Sequence, residues 1–167
     1  MGYHIHVAQA FKVEQTHGRL LIFLEKLKGR TLRDWLVEGF FSDKNKHLNA
    51  KRAMNCLLQV AVGLNYLHKR GVVHQAVTPD HIYVENDRIL KIGNLFSVNL
   101  AVGRLTKNAS TGGPAEYWSP DQGGLFDYLK ERGKEGNYGQ SIKLLPALTQ
   151  KSDLYQLGLL ILELLFS

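Results

Sequence analysis

The 167-residue sequence is poor in cysteine, in sustained apolar runs and in clustered metal ligands, and each shortage removes a class of protein. A single cysteine, Cys56, excludes an intrachain disulfide and suits a reducing compartment. It falls among Met54, Leu57 and Leu58, so packing is its expected role. No cysteine or second histidine stands at ligand spacing from His81, which leaves no zinc motif and no expected metal. The most apolar run, 157–166, is interrupted by Glu163 and is far shorter than the roughly 20 residues of a membrane span. Met1-Gly2 lacks the Ser or Thr that a myristoylation signal carries at position 6, where His6 stands. The expectation is a soluble, cytoplasmic protein with neither a signal peptide nor a transmembrane segment.

What is present is ample apolar residue, 44% of the chain, enough for one folded domain with a real core. Net charge is +6, but the bases fall in short separate clusters such as Lys26-Lys28-Arg30 and Lys130-Arg132-Lys134. That pattern reads as a solvated basic surface and argues against nucleic acid. A basic scaffold contacting RNA or acidic lipid stays as a second alternative.

Periodicity gives the elements. Branched and aromatic residues over 4–13, a turn at Thr16-His17-Gly18 and a buried strand at 19–24 predict a β-hairpin. Thr31 and Asp34 have the spacing of a capping box and open a short helix through Trp35 and Leu36. Ala53, Leu57, Val60, Leu64 and Leu67 recur at helical spacing within 49–70, and Gly71 follows as a stop. Within 72–96 the expected order is short strand, loop, short strand, polar turn at 85–88, short strand. A charged, glycine-bearing stretch within 122–150 reads as a surface insertion. The last helix starts near Lys151 with Ser152 as N-cap, and it is apolar on nearly every side, as in a buried helix.

The stretch 72–96 resembles a protein kinase catalytic loop followed by its metal-binding strand, with His74, Pro79, Ile82 and Val84 in the family's framework positions. Its reactive positions differ. The resemblance puts Ala76 at the Asp that accepts the substrate proton, Thr78 at the lysine, and Gln75 at the arginine that pairs with a phosphorylated loop. It puts His81 and Asn94 at the two Mg²⁺ ligands. Mg²⁺ favours anionic oxygen, so an imidazole and a neutral amide are a poor pair. A general base is typically worth about 10²- to 10⁴-fold in rate, and Ala76 cannot act as one.

Other segments carry the same resemblance. Tyr66-Leu67-His68-Lys69-Arg70-Gly71 is a phrase typical of kinases, and Gly113-Pro114-Ala115-Glu116-Tyr117-Trp118-Ser119-Pro120-Asp121 is similar to the end of an activation segment. Pro114 stands where the family's Thr contacts the catalytic Asp and Lys. By the same resemblance 25–29 is the hinge, Leu24 the gatekeeper, and Leu24, Glu25, Leu27 and Tyr83 the residues nearest any adenine. His74, Asp121 and Asp153 are architectural, Asp153 holding the catalytic-loop backbone.

The resemblance implies an α+β, protein kinase-like fold with a mainly helical C-terminal lobe and a partial N-terminal-lobe sheet. It covers 1–167 as one incomplete domain: 1–24 partial small lobe, 25–29 hinge, 30–167 partial large lobe. Because no Gly-rich loop precedes His4 and no final helices follow Ser167, the chain is expected to be a fragment. The implied function is a catalytically inactive pseudokinase acting as a regulatory or scaffolding module for a protein partner. The first alternative is an atypical or residually active Ser/Thr-type kinase or an ATP-binding regulator. No cofactor is expected beyond weak, metal-independent ATP.

Overall fold

A computed structural model describes residues 2–17, 19–27, 29–42, 49–86, 88–95, 99–100, 114–124 and 149–166. The expected insertion, apart from its edges, and most of 97–112 lie outside the described residues. In chain order the elements are β1 (Ala10–Thr16), β2 (Arg19–Leu24), α1 (Leu32–Val37), α2 (Ala50–His68), β3 (Val72–Val73), a 3₁₀ turn (Pro79–His81), β4 (Ile82–Glu85), β5 (Ile89–Ile92), β6 (Asn99–Leu100), a second 3₁₀ turn (Ala115–Tyr117) and α3 (Gln150–Phe166). They cluster into two compact units, one built from 1–66 and 79–93, the other from 67–78 and 94–166.

In the first unit β1 and β2 pair antiparallel from Lys12↔Phe23 to Thr16↔Arg19. The strand begins at Ala10 rather than near His4, because the preceding segment has another backbone partner. Ile92 N–H donates to the His6 carbonyl at 3.0 Å and Ala8 N–H to the Ile92 carbonyl at 2.8 Å, so 6–8 runs beside β5. The expected burial of β2 also fails, since Leu21 and Phe23 are exposed on a two-stranded sheet. β4 and β5 form a second hairpin in register Ile82↔Ile92 to Glu85↔Ile89.

The capping box at α1 forms as the spacing required. Asp34 N–H donates to Thr31 Oγ1 at 3.3 Å, and Thr31 N–H donates to Asp34 Oδ2 at 2.8 Å. The backbone N–H and then the hydroxyl of Thr31 hold the Asp34 carboxyl below its ordinary range. In α2 the buried stripe is Ala53, Cys56, Val60, Leu64 and Leu67, with Cys56 in place of the half-exposed Leu57. Burying each large aliphatic side chain contributes about 1.5–3 kcal/mol. Gly71, at φ 72°, provides the left-handed residue that ends the helix.

In the second unit β3 pairs antiparallel with β6, and α3 packs against β3. α3 starts at Gln150, one residue before the expected Lys151, and its cap lies three residues earlier than expected. Lys151 N–H donates to Thr149 Oγ1 at 3.3 Å and Ser152 N–H to the Thr149 carbonyl at 2.9 Å, so Thr149 caps the helix and Ser152 is a buried first-turn residue. The helix is not buried all round. Ser152, Asp153, Gln156, Leu160 and Leu164 are buried along one stripe, while Leu154, Tyr155, Leu162, Leu165 and Phe166 are exposed. Among the described residues no helix is long and apolar enough to cross a membrane.

Candidate functional site

The loop after β3 is buried throughout. His74, Ala76 and Thr78 are 0% exposed, and Gln75 and Val77 are 1%. A buried loop outside regular structure must find partners for its N–H and C=O groups. Three side chains provide them. Asp153, itself fully buried, accepts from His74 N–H at 2.8 Å and Gln75 N–H at 2.7 Å, and its Oδ2 lies 2.7 Å from His68 Nε2. Gln156 accepts from Val77 N–H at 2.8 Å and donates to the Gln75 carbonyl at 2.9 Å. Gln122 donates to the same carbonyl at 2.8 Å, and its own Oε1 accepts from Gln156 Nε2 and Ser119 N–H at 2.9 Å each.

Gln75 needs that support, since its φ of 66° is left-handed and such a residue costs of order 1–3 kcal/mol. Bonds on both its N–H and its carbonyl over-determine the conformation. His74 Nδ1 accepts from Ala76 N–H at 3.3 Å, which places that ring's proton on Nε2. The methyl of Ala76 is closed from solvent, at the position where the resemblance puts a proton acceptor. Asn94, at φ 52°, is half-buried, and Asp121 is exposed.

In the first unit lie the residues expected near a nucleotide base. Tyr83, half-buried on β4, lays its ring against Gly93: a Cβ there would sit 2.5 Å from Cε2 and 3.5 Å from Leu27 Cδ1. Gly93 is thus required by close approach, and Tyr83 and Leu27 are brought together over it. Gly93 N–H donates to the His81 carbonyl at 2.8 Å. Leu24 is half-buried and its register partner is Ala10. Glu25 is fully engaged: its N–H donates to the Gln9 carbonyl at 2.9 Å, Gln9 N–H donates to Oε1 at 2.8 Å, and Lys91 Nζ donates to Oε2 at 2.7 Å.

Among the described residues no group of three or more His, Cys, Asp or Glu side chains could hold a metal ion. Neither His81 in the first unit nor Asn94 in the second carries the anionic oxygen that Mg²⁺ favours. Sequence reasoning missed Gln156, Gln122 and the Lys91–Glu25 pair. The one signal for Gln156 was an amide in the middle of an apolar helix. Gln122 and Lys91 gave none, because their partners are 34 and 66 residues away in sequence.

The sequence profile described as protein tyrosine and serine/threonine kinase matches residues 1–167. The chain is 24% identical to the serine/threonine-protein kinase PrkC of Bacillus subtilis, over 97% of this chain and 21% of that protein. It is 28% identical to the eIF-2-alpha kinase GCN2 of Rattus norvegicus, over 87% of this chain and 8% of that protein. It is 26% identical to the interferon-induced, double-stranded RNA-activated protein kinase of the same species, over 87% of this chain and 24% of that protein. The chain thus spans a quarter or less of these curated relatives. With its α+β elements and the loop held by Asp153, this chain belongs to the protein tyrosine and serine/threonine kinase family.

Proposed function

We propose that this chain is a catalytically inactive member of its family, a pseudokinase domain that acts as a regulatory or scaffolding module for a protein partner. The observation that carries the reading is Ala76: the position of the family's proton acceptor holds a methyl group with 0% exposure. Thr78, His81 and Asn94 extend it, since phosphoryl transfer rests on positioning and on charge stabilisation that these side chains do not supply. The buried Asp153–Gln156–Gln122 network favours a loop kept for its shape.

The printed names of the relatives favour a second reading, an atypical or residually active Ser/Thr-type kinase. One assay separates the two. Purified full-length protein is given radiolabelled ATP, Mg²⁺ or Mn²⁺, and generic protein substrates. The proposal expects no incorporation above a blank without protein. Incorporation that Asn94→Ala abolishes would overturn it, because the residue read as degenerate would then be serving catalysis.

A further inference from the structure

Gln122 and Gln156 set two side-chain amides against each other inside the second unit, and both residues are fully buried. Gln156 stands in the buried stripe of α3, and Gln122 lies in the turn that follows Tyr117. A side-chain amide reverses end for end with no change of shape, so only its partners fix which end is oxygen.

Here the partners allow no reversal. A backbone N–H only donates and a backbone carbonyl only accepts. Val77 N–H therefore requires Gln156 Oε1, at 2.8 Å, and Ser119 N–H requires Gln122 Oε1, at 2.9 Å. With the oxygens so assigned, both Nε2 groups donate to the Gln75 carbonyl, Gln156 at 2.9 Å and Gln122 at 2.8 Å. Gln156 Nε2 also donates to Gln122 Oε1 at 2.9 Å. Turning either amide over would set an N–H against an N–H and an oxygen against the Gln75 carbonyl. One arrangement satisfies the cluster, and bonds linked in this way polarise and strengthen one another.

The pair joins three segments far apart in sequence: the loop 74–78, the turn 119–123 and α3. That turn is the inner end of a segment that reaches the surface. Pro114, Ala115 and Glu116 are exposed, while Tyr117, Ser119 and Gln122 are buried. Gln122 N–H and Gly123 N–H donate to the Ser119 carbonyl at 2.9 and 3.0 Å, and the Tyr117 hydroxyl donates to Glu163 of α3. None of the amide or backbone groups in the cluster ionises, so its bonds call on no phosphate and no particular protonation state.

We propose that Gln122 is a positioning residue and that, with Gln156, it forms an uncharged lock through which segment 114–123 and the loop 74–78 open and close as one cooperative unit. Removing the Gln122 amide takes the acceptor from Ser119 N–H and from one N–H of Gln156. Gln156 regains a partner for that N–H only by turning, which withdraws its oxygen from Val77 N–H. A protein that grips the exposed edge at 114–116 is thereby coupled to the loop that carries Ala76 and Thr78. The proposal holds whether or not phosphoryl transfer is lost.

The test is hydrogen–deuterium exchange of the full-length protein, read amide by amide in the parent and in Gln122→Met, which removes the amide and keeps the side-chain length. Ser119 N–H should exchange about tenfold faster or more, since its acceptor is gone. Val77 N–H, whose partner is Gln156, should exchange about fivefold faster or more, and Leu160 in the middle of α3 should exchange as in the parent. An unchanged rate at Val77 would show that the bonds act independently and would overturn the proposal. So would a gain at Leu160 equal to that at Val77, which would mark a general loss of stability. If Gln122→Met does not fold, Gln122→Asn is read in the same way, because its amide is one methylene shorter and cannot reach both Ser119 N–H and the Gln75 carbonyl.

Discussion

Removing the Asp153 carboxylate should unfold the second unit at markedly lower temperature. In Asp153→Ala two fully buried backbone donors, His74 N–H and Gln75 N–H, lose their acceptor, and His68 Nε2 loses its partner. Each orphaned buried donor costs about 1–3 kcal/mol, so the two N–H groups alone come to about 4 kcal/mol at a central value of about 2 each. Against a typical total stability of about 5–15 kcal/mol that is a large fraction. At about 2–4 °C per kcal/mol for a domain of this size, the melting temperature should fall by about 8–16 °C. The assay is a paired thermal and urea melt of the full-length protein, with His68→Ala measured beside it to separate the imidazole contact from the backbone bonds. A thermal midpoint within about 2 °C of the parent would refute the reasoning, because it would mean that water or another side chain takes over both donors at no cost.

Two further outcomes follow from the residue types at His81, Asn94 and Cys56. Nucleotide binding, where it occurs, should be weak and independent of Mg²⁺, since His81 and Asn94 offer no anionic oxygen and the Tyr83 ring occupies the surface of Gly93. A thermal-shift titration with ATP, with and without Mg²⁺, checks this, as ligand at about 100 times its dissociation constant adds about 2.7 kcal/mol; a large shift that requires Mg²⁺ would contradict it. Burial pushes the Cys56 thiol up to about 11, so its thiolate is scarce at neutral pH. At pH 8 the folded protein should therefore react with a thiol reagent about a hundred times more slowly than the unfolded chain, whose thiol has an ordinary value of 9.0. The sign for stability follows: with the folded value above the unfolded one, the contribution is intact below about pH 9 and is lost as pH rises toward 11. Equal thiol reactivity in folded and unfolded protein would show Cys56 to be open to solvent.

The sequence by itself determined the elements whose cause is local. The Thr31–Asp34 box, the α2 stripe and its Gly71 stop, the β1–β2 turn and the order of motifs around 72–96 depend on residues a few positions apart, so spacing was enough to find them. That Ala76, His81 and Asn94 carry no carboxylate was legible for the same reason, because it is a property of residue identity. Only tertiary structure decided which backbone groups those elements meet. Residues 6–8 left the hairpin because Ile92, more than 80 positions later, offered N–H and C=O groups in reach. Thr149 rather than Ser152 became the α3 cap because Ser152 lies in a buried first turn. The amide pair Gln122 and Gln156 and the ion pair Lys91–Glu25 depend on contacts between distant segments, and no periodicity encodes them. A buried polar side chain is stable only where its partner arrives, and that partner is fixed by how the chain folds back on itself.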